Sequence, residues 1–75
     1  MAPDLVKKKL QEAYPESTVE VFDPRGSGDF FEVYIESSAF SGMSRIQQHQ
    51  HVMSTFDAEL KSGEIHALQI KTKIK

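Results

Sequence analysis

Hydrophobic and polar positions alternate with two different periods along this chain, and the change of period predicts its elements. From Phe30 to Ser37 the alternation is strict: Phe31, Val33 and Ile35 point one way and Phe30, Glu32, Tyr34 and Glu36 the other. Ser17–Phe22 alternates in the same way, with Val19 and Val21 on one face. Between them lies Asp23-Pro24-Arg25-Gly26-Ser27-Gly28-Asp29, rich in turn formers and longer than a tight hairpin requires. Glu64–Thr72 alternates again, and pairing His66 with Leu68 and Ile70 puts His66 on the helix-facing side at the strand's beginning. Ser44–Lys61 has the helical period instead: Ile46, His49, Val52, Met53, Phe56 and Leu60 share one face, and Gly63 supplies a stop. That face is expected to pack on the sheet, with His49 buried or at its margin. An earlier helix runs from the Asp4 cap to Tyr14-Pro15, with Leu5, Val6, Leu10 and Ala13 inward and Lys7–Lys9 in water. Ser38-Ala39-Phe40 adds a helical turn anchored by Phe40.

The resulting order is αββ(α)αβ, an α+β fold in which helices cover one face of a three-stranded mixed sheet. A right-handed crossover would set the last strand parallel to one strand of the hairpin. With 75 residues, the expectation is a single domain spanning 1–75. No apolar run is long enough for a membrane helix, and the N-terminal residues lack a signal-peptide core, so a cytoplasmic location is expected, or an organellar one if a targeting segment was trimmed. On its own the protein is expected to be a monomer.

Composition narrows the chemistry. The chain has no cysteine, which excludes disulfides, thiolate-ligated zinc and a thiol nucleophile of its own. Its net charge of −2 gives no global field for nucleic acid, although Lys7–Lys9, Lys71, Lys73 and Lys75 gather near the ends. Gly26-Ser27-Gly28 is not a phosphate loop, because Lys-Ser/Thr does not follow and the next element is a strand. No nucleophile–base pair has local support, and Glu32, Glu36, Asp57, Glu59 and Glu64 read as surface charge, so no enzymatic activity is expected. His49, His51 and His66 are the soft donors. His51 is about 200° around the helix from His49 and reads as solvated. His49 reads as a hydrogen-bonded residue that pins the helix, and His66 is the candidate ligand.

The same element order occurs in class II K-homology modules, which clamp nucleic-acid backbone with a Gly-x-x-Gly loop. Here Phe40-Ser41-Gly42-Met43-Ser44-Arg45 offers only one of the two glycines. Four stretches carry a closer resemblance: Phe31-Glu32-Val33-Tyr34-Ile35, Phe40-Ser41-Gly42-Met43-Ser44, Gln47-Gln48-His49-Gln50-His51-Val52, and Glu64-Ile65-His66-Ala67-Leu68-Gln69-Ile70-Lys71-Thr72. Together they resemble the BolA family over nearly the whole chain, and the Ile-His-Ala-Leu-x-Ile-Lys-Thr strand is the most specific of them.

The resemblance implies a class II K-homology-like BolA fold and pairing with a monothiol glutaredoxin. It also implies a role in assembly, trafficking or sensing of a [2Fe–2S] cluster shared with glutaredoxin and glutathione. His66 is the carried-over ligand, and Arg45, His49 and Lys71 are the partner contacts. The family commonly places a Cys or His in the hairpin loop near the second strand. Phe30 takes that place here, which leaves Asp29 as a hard oxygen donor. The family's Gln-Arg-His-Arg helix reads Gln47-Gln48-His49-Gln50, which weakens a nucleic-acid role. The competing readings are a nucleic-acid-binding regulator and a glutaredoxin-binding module that does not ligate iron.

Overall fold

The computed structural model describes all 75 residues. Helix α1 (Pro3–Ala13) leads into the antiparallel hairpin of β1 (Thr18–Phe22) and β2 (Phe30–Glu36). A 3-10 turn at Ser38–Phe40 is followed by α2 (Arg45–Thr55), α3 (Asp57–Ser62) and β3 (Ala67–Lys73). The sheet order is β1-β2-β3, with β3 parallel to β2. This is the α+β arrangement expected from the alternating periods, and it makes β2 the central strand. β2 alternates buried and half-buried along its length, with Phe31, Val33 and Ile35 in the core.

The expected single helix Ser44–Lys61 is instead two. Phe56 leaves helical geometry at φ −112° and ψ 23°, and Asp57 starts α3. The break turns a fully buried Phe56 ring into the core. Of the expected inward stripe, Val52 and Phe56 are buried and Leu60 is half-buried. Gln48, Val52, Phe56 and Glu59 pack inward, whereas Ile46 is 71% exposed and Met53 38% exposed. His49 is exposed, so it neither lies buried nor pins the helix. Polar Gln48 tolerates burial because both ends of its amide are satisfied: Nε2 donates to the Met43 carbonyl at 3.0 Å, and Oε1 accepts from the Thr72 hydroxyl. Ser44 starts α2 with a capping box, its hydroxyl accepting from Gln47 N–H while the Gln47 side chain accepts from Ser44 N–H.

Other expectations need correction in the same way. In α1, Val6 and Leu10 are buried, but Leu5 is 55% exposed and Ala13 lies in solvent. Tyr14 does more than end the helix. It is buried, packs against Phe40 with ring centres 5.1 Å apart and planes tilted by 50°, and is hydrogen-bonded through its hydroxyl to His51 Nδ1. Burial raises its pKa above the ordinary phenol value. His51, exposed as expected, therefore has an intramolecular partner. β3 begins at Ala67 rather than Glu64, so strand alternation does not reach back to His66. Ile65 is fully buried and His66 is exposed, the reverse of the extrapolated parity.

Lys9 and Glu59 are the largest electrostatic surprise, since both read as solvated. Their side chains form an ion pair joining α1 to α3, with the Glu59 side chain only 11% exposed, and Lys9 Nζ lies 5.2 Å from the centre of the Phe56 ring. Hydrogen bonding to the Lys9 ammonium holds the Glu59 carboxyl below the usual carboxylate range. A depressed folded pKa contributes stability that is complete above the unfolded value and is lost as pH falls through the folded one. Glu59→Gln is therefore expected to cost about 1–2 kcal/mol at neutral pH, reduced from the buried-pair range because Lys9 is partly solvated. Urea titrations of the two proteins should converge in acid. A constant difference from neutral pH to pH 2 would refute the assignment.

Candidate functional site

The site is built where the hairpin loop meets the start of β3. The parallel register sets Phe30 opposite Ala67, so the residues just before each strand, Asp29 and His66, become neighbours. The Asp29 carbonyl accepts from His66 N–H at 2.6 Å and from Ala67 N–H at 3.2 Å, tying the loop's last residue to the strand's entrance. The His66 imidazole is exposed and has no hydrogen-bond partner in the chain. Asp29's carboxylate accepts from the Ser27 hydroxyl. That bond, followed by weaker attraction to His66 and Arg25, holds its carboxyl below the ordinary range, so it is ionised at neutral pH.

The loop behind Asp29 is shaped by contacts that sequence reasoning did not identify. Arg25 lies over the Phe30 ring at 5.0 Å. The Asp23 carboxylate accepts from Gly28 N–H at 3.2 Å, and the Met1 ammonium donates to the Gly28 carbonyl at 2.8 Å. Gly28 has φ +73°, and a Cβ there would lie 2.8 Å from the Met1 carbonyl oxygen. Gly28→Ala is expected to destabilise the protein by about 1–2 kcal/mol through left-handed strain and this clash. It should also speed amide exchange across Asp23–Asp29. Unchanged exchange would show that the loop does not depend on this approach. The Gly-Ser-Gly run signalled a special backbone, but its contact with Met1 lies 27 positions away in sequence and had no local signal.

The remaining predicted residues fall elsewhere. Arg45 and Lys71 line one cavity of about 280 Å3 at the far end of β3, with Thr72 and Lys73. Arg45 and His49 line another, on the outer side of α2 and α3. The structure thus brings together Asp29 with His66, and Arg45 with both Lys71 and His49. His66 lies about 16 Å from Lys71 along the strand.

Donor chemistry sets what the His66 site can hold. It offers one imidazole and one carboxylate, and nowhere do three His, Cys, Asp or Glu side chains converge as a metal site. Those donors fit a centre completed by another molecule and do not fit one held by this chain alone. No helix is long and apolar enough to cross a membrane.

Comparison with known proteins accords with this architecture. The family model for BolA-like protein matches residues 7–75. DNA-binding transcriptional regulator BolA of Vibrio cholerae is 33% identical over 79 residues, covering 96% of this chain and 74% of that protein. Human BolA-like protein 3 is 37% identical over 71 residues, covering 92% of this chain. The chain spans 64% of that relative and 54% of mouse BolA-like protein 1. Among solved structures, the BolA domain of SufE1 from Arabidopsis thaliana superposes with a TM-score of 0.85 at 31% identity, covering 96% of this chain and 89% of that one. A BolA-like protein from Babesia bovis gives a TM-score of 0.85 at 25% identity, covering 99% and 85%. A three-stranded mixed sheet in the order β1-β2-β3, matched by a family model over residues 7–75, places this chain in the BolA family.

Proposed function

We propose that this protein is an adaptor that pairs with a monothiol glutaredoxin and contributes His66 to a [2Fe–2S] centre shared with glutaredoxin and glutathione, serving cluster assembly, transfer or sensing. The observation that carries the reading is the state of His66: an exposed imidazole, free of internal hydrogen bonds, on a backbone fixed by the Asp29 carbonyl. A fixed backbone with a free ring is what an intermolecular ligand requires, because little ordering entropy is then lost on binding. The absence of cysteine fits a partner role, since thiolates would come from the glutaredoxin and glutathione. A bound cluster supplies a redox-active iron centre that passes between proteins. This chain's part is to present a neutral imidazole, with the Asp29 carboxylate beside it. As a hard oxygen donor tied to Ser27, that carboxylate is the poorer ligand.

The test is a titration of this protein into a [2Fe–2S]-loaded, glutathione-bound monothiol glutaredoxin, followed by visible absorption and circular dichroism. A saturable one-to-one spectral change is expected. Binding seen by calorimetry without a spectral change would reduce the protein to a docking partner.

A second reading, nucleic-acid binding, is favoured by the name of the Vibrio cholerae relative and by Arg45, Lys71 and Lys73 meeting in one cavity. It predicts affinity for duplex DNA that falls steeply between low and physiological salt. The net charge of −2 ranks it second.

A further inference from the structure

One stripe of α2 packs on the sheet, and a neighbouring stripe has nothing on it. Ile46 and Met53 are 71% and 38% exposed, and Leu60 on α3 is half-buried. Seven residues apart, they recur every second turn and form one apolar line that crosses the break at Phe56. A groove of about 790 Å3 opens over this line, flanked by Arg45, His49 and Asp57. Three large apolar side chains in one open groove form the kind of patch that marks an interaction surface.

The two ends of the groove differ in charge. At the Leu60 end, Asp57 is neutralised by Lys61 at 3.0 Å. At the Ile46 end, Arg45 also lines the cavity that holds Lys71 and Lys73 at the end of β3. None of these three cations has a carboxylate within salt-bridge distance, since the ion pairs of the chain are Lys9–Glu59 and Lys61–Asp57. Through Arg45 the apolar line therefore meets a pocket whose three cations form no ion pair, the nearest acidic register partner being Glu36 opposite Lys73.

We propose that this groove docks an amphipathic helix of a partner protein, apolar at heptad spacing, with carboxylates in the turn that reaches Arg45, Lys71 and Lys73. A helix presents side chains at the spacing of Ile46, Met53 and Leu60, and carboxylates match the arginine fork. A nucleic-acid backbone would satisfy the cations but leave the apolar line in water. A second copy of this chain, packed antiparallel about Met53, would set Ile46 against Leu60 and Arg45 against Lys61, leaving the cationic end unneutralised. The inference does not rest on the glutaredoxin reading. Its test uses this protein alone, without iron or glutaredoxin.

The probe is a three-heptad synthetic helix with leucine at the a and d positions and a glutamate pair in one terminal turn. Its control replaces that pair by lysine. Fluorescence anisotropy of the labelled peptide should show saturable binding, with amide shifts confined to the outer side of α2, α3 and the end of β3. Ile46→Glu and Arg45→Glu, both at exposed positions, should leave the far-UV circular dichroism unchanged and each weaken binding by about tenfold or more, as should the lysine control. Equal binding of both peptides, or binding indifferent to Ile46→Glu, would overturn the proposal. So would duplex DNA that competes for the same residues, which would assign the surface to nucleic acid. Self-association abolished by Ile46→Glu, without peptide binding, would assign it to a second copy.

Discussion

His66→Ala is expected to abolish the spectral change on mixing with cluster-loaded glutaredoxin, while leaving the fold and its stability intact. The expectation has two parts with separate physical causes. The imidazole is exposed and makes no internal hydrogen bond, so its removal should change unfolding free energy by no more than about 0.5 kcal/mol. The backbone bonds from His66 and Ala67 to the Asp29 carbonyl do not depend on the side chain, so the loop keeps its place. What the substitution removes is the chain's only soft donor at this end of the sheet. His66→Cys, which restores a soft ligand, should recover a spectral change of different shape. Asp29→Asn should retain the wild-type change, since a carboxylate is a poor match for the cluster. Loss of the signal in Asp29→Asn together with its survival in His66→Ala would reverse the assignment and make the carboxylate the ligand.

Phe56→Ala should be among the most destabilising single substitutions in this protein. Phe56 is fully buried at the junction of α2 and α3, and Lys9 lies over its ring. Truncating a buried Phe to Ala costs about 3–5 kcal/mol, the sum of lost transfer energy and the cavity left behind. A domain of this length has total stability on the order of 4–11 kcal/mol, so the loss takes from about a quarter to all of it. Here the ring has a further task. It enters the core from the residue at which the helix breaks, so its loss also removes the packing that holds that junction. Thermal melts by circular dichroism should show a large fall in Tm and a broadened transition. Phe56→Leu, which keeps most of the volume, should cost less than about 1.5 kcal/mol. A Phe56→Ala variant within 1 kcal/mol of wild type, as a rough bound, would show that the junction is held by something else.

Both predictions depend on features with different visibility in the sequence. The period-two alternation of Phe30–Ser37 identified β2 and its two faces, because a strand packed on one side must alternate; its central place came only with the structure. The loop, the 3-10 turn with its Phe40 anchor and the parallel last strand followed from turn residues and connection rules. The family motif around His66 was equally legible, since it is a local string. Gly63 past the helix end also behaved as read, adopting φ 83°.

What the chain alone left undecided is which of two candidate stripes of α2 faces the sheet. The helical period pointed to Ile46, His49, Val52, Met53, Phe56 and Leu60. Of these Val52 and Phe56 are covered, but the fold rotates the inward face so that Gln48 and Glu59 join them in place of Ile46, His49 and Met53. Two of the partners that make it possible are distant in sequence: Thr72 bonds Gln48 and Lys9 bonds Glu59, while Met43 satisfies Gln48 from nearby. A buried polar group is acceptable only once its partner is in place, and the partner's position is a property of the whole fold. The same applies to His66. Its parity extrapolated from β3 pointed inward, but the Asp29 carbonyl captures its N–H just before the strand begins and leaves Ile65 in the core. The sequence thus determined the elements and the residues worth watching. Tertiary structure decided which faces are covered, because long-range hydrogen bonds and ion pairs outweigh the local hydrophobic pattern where the two conflict.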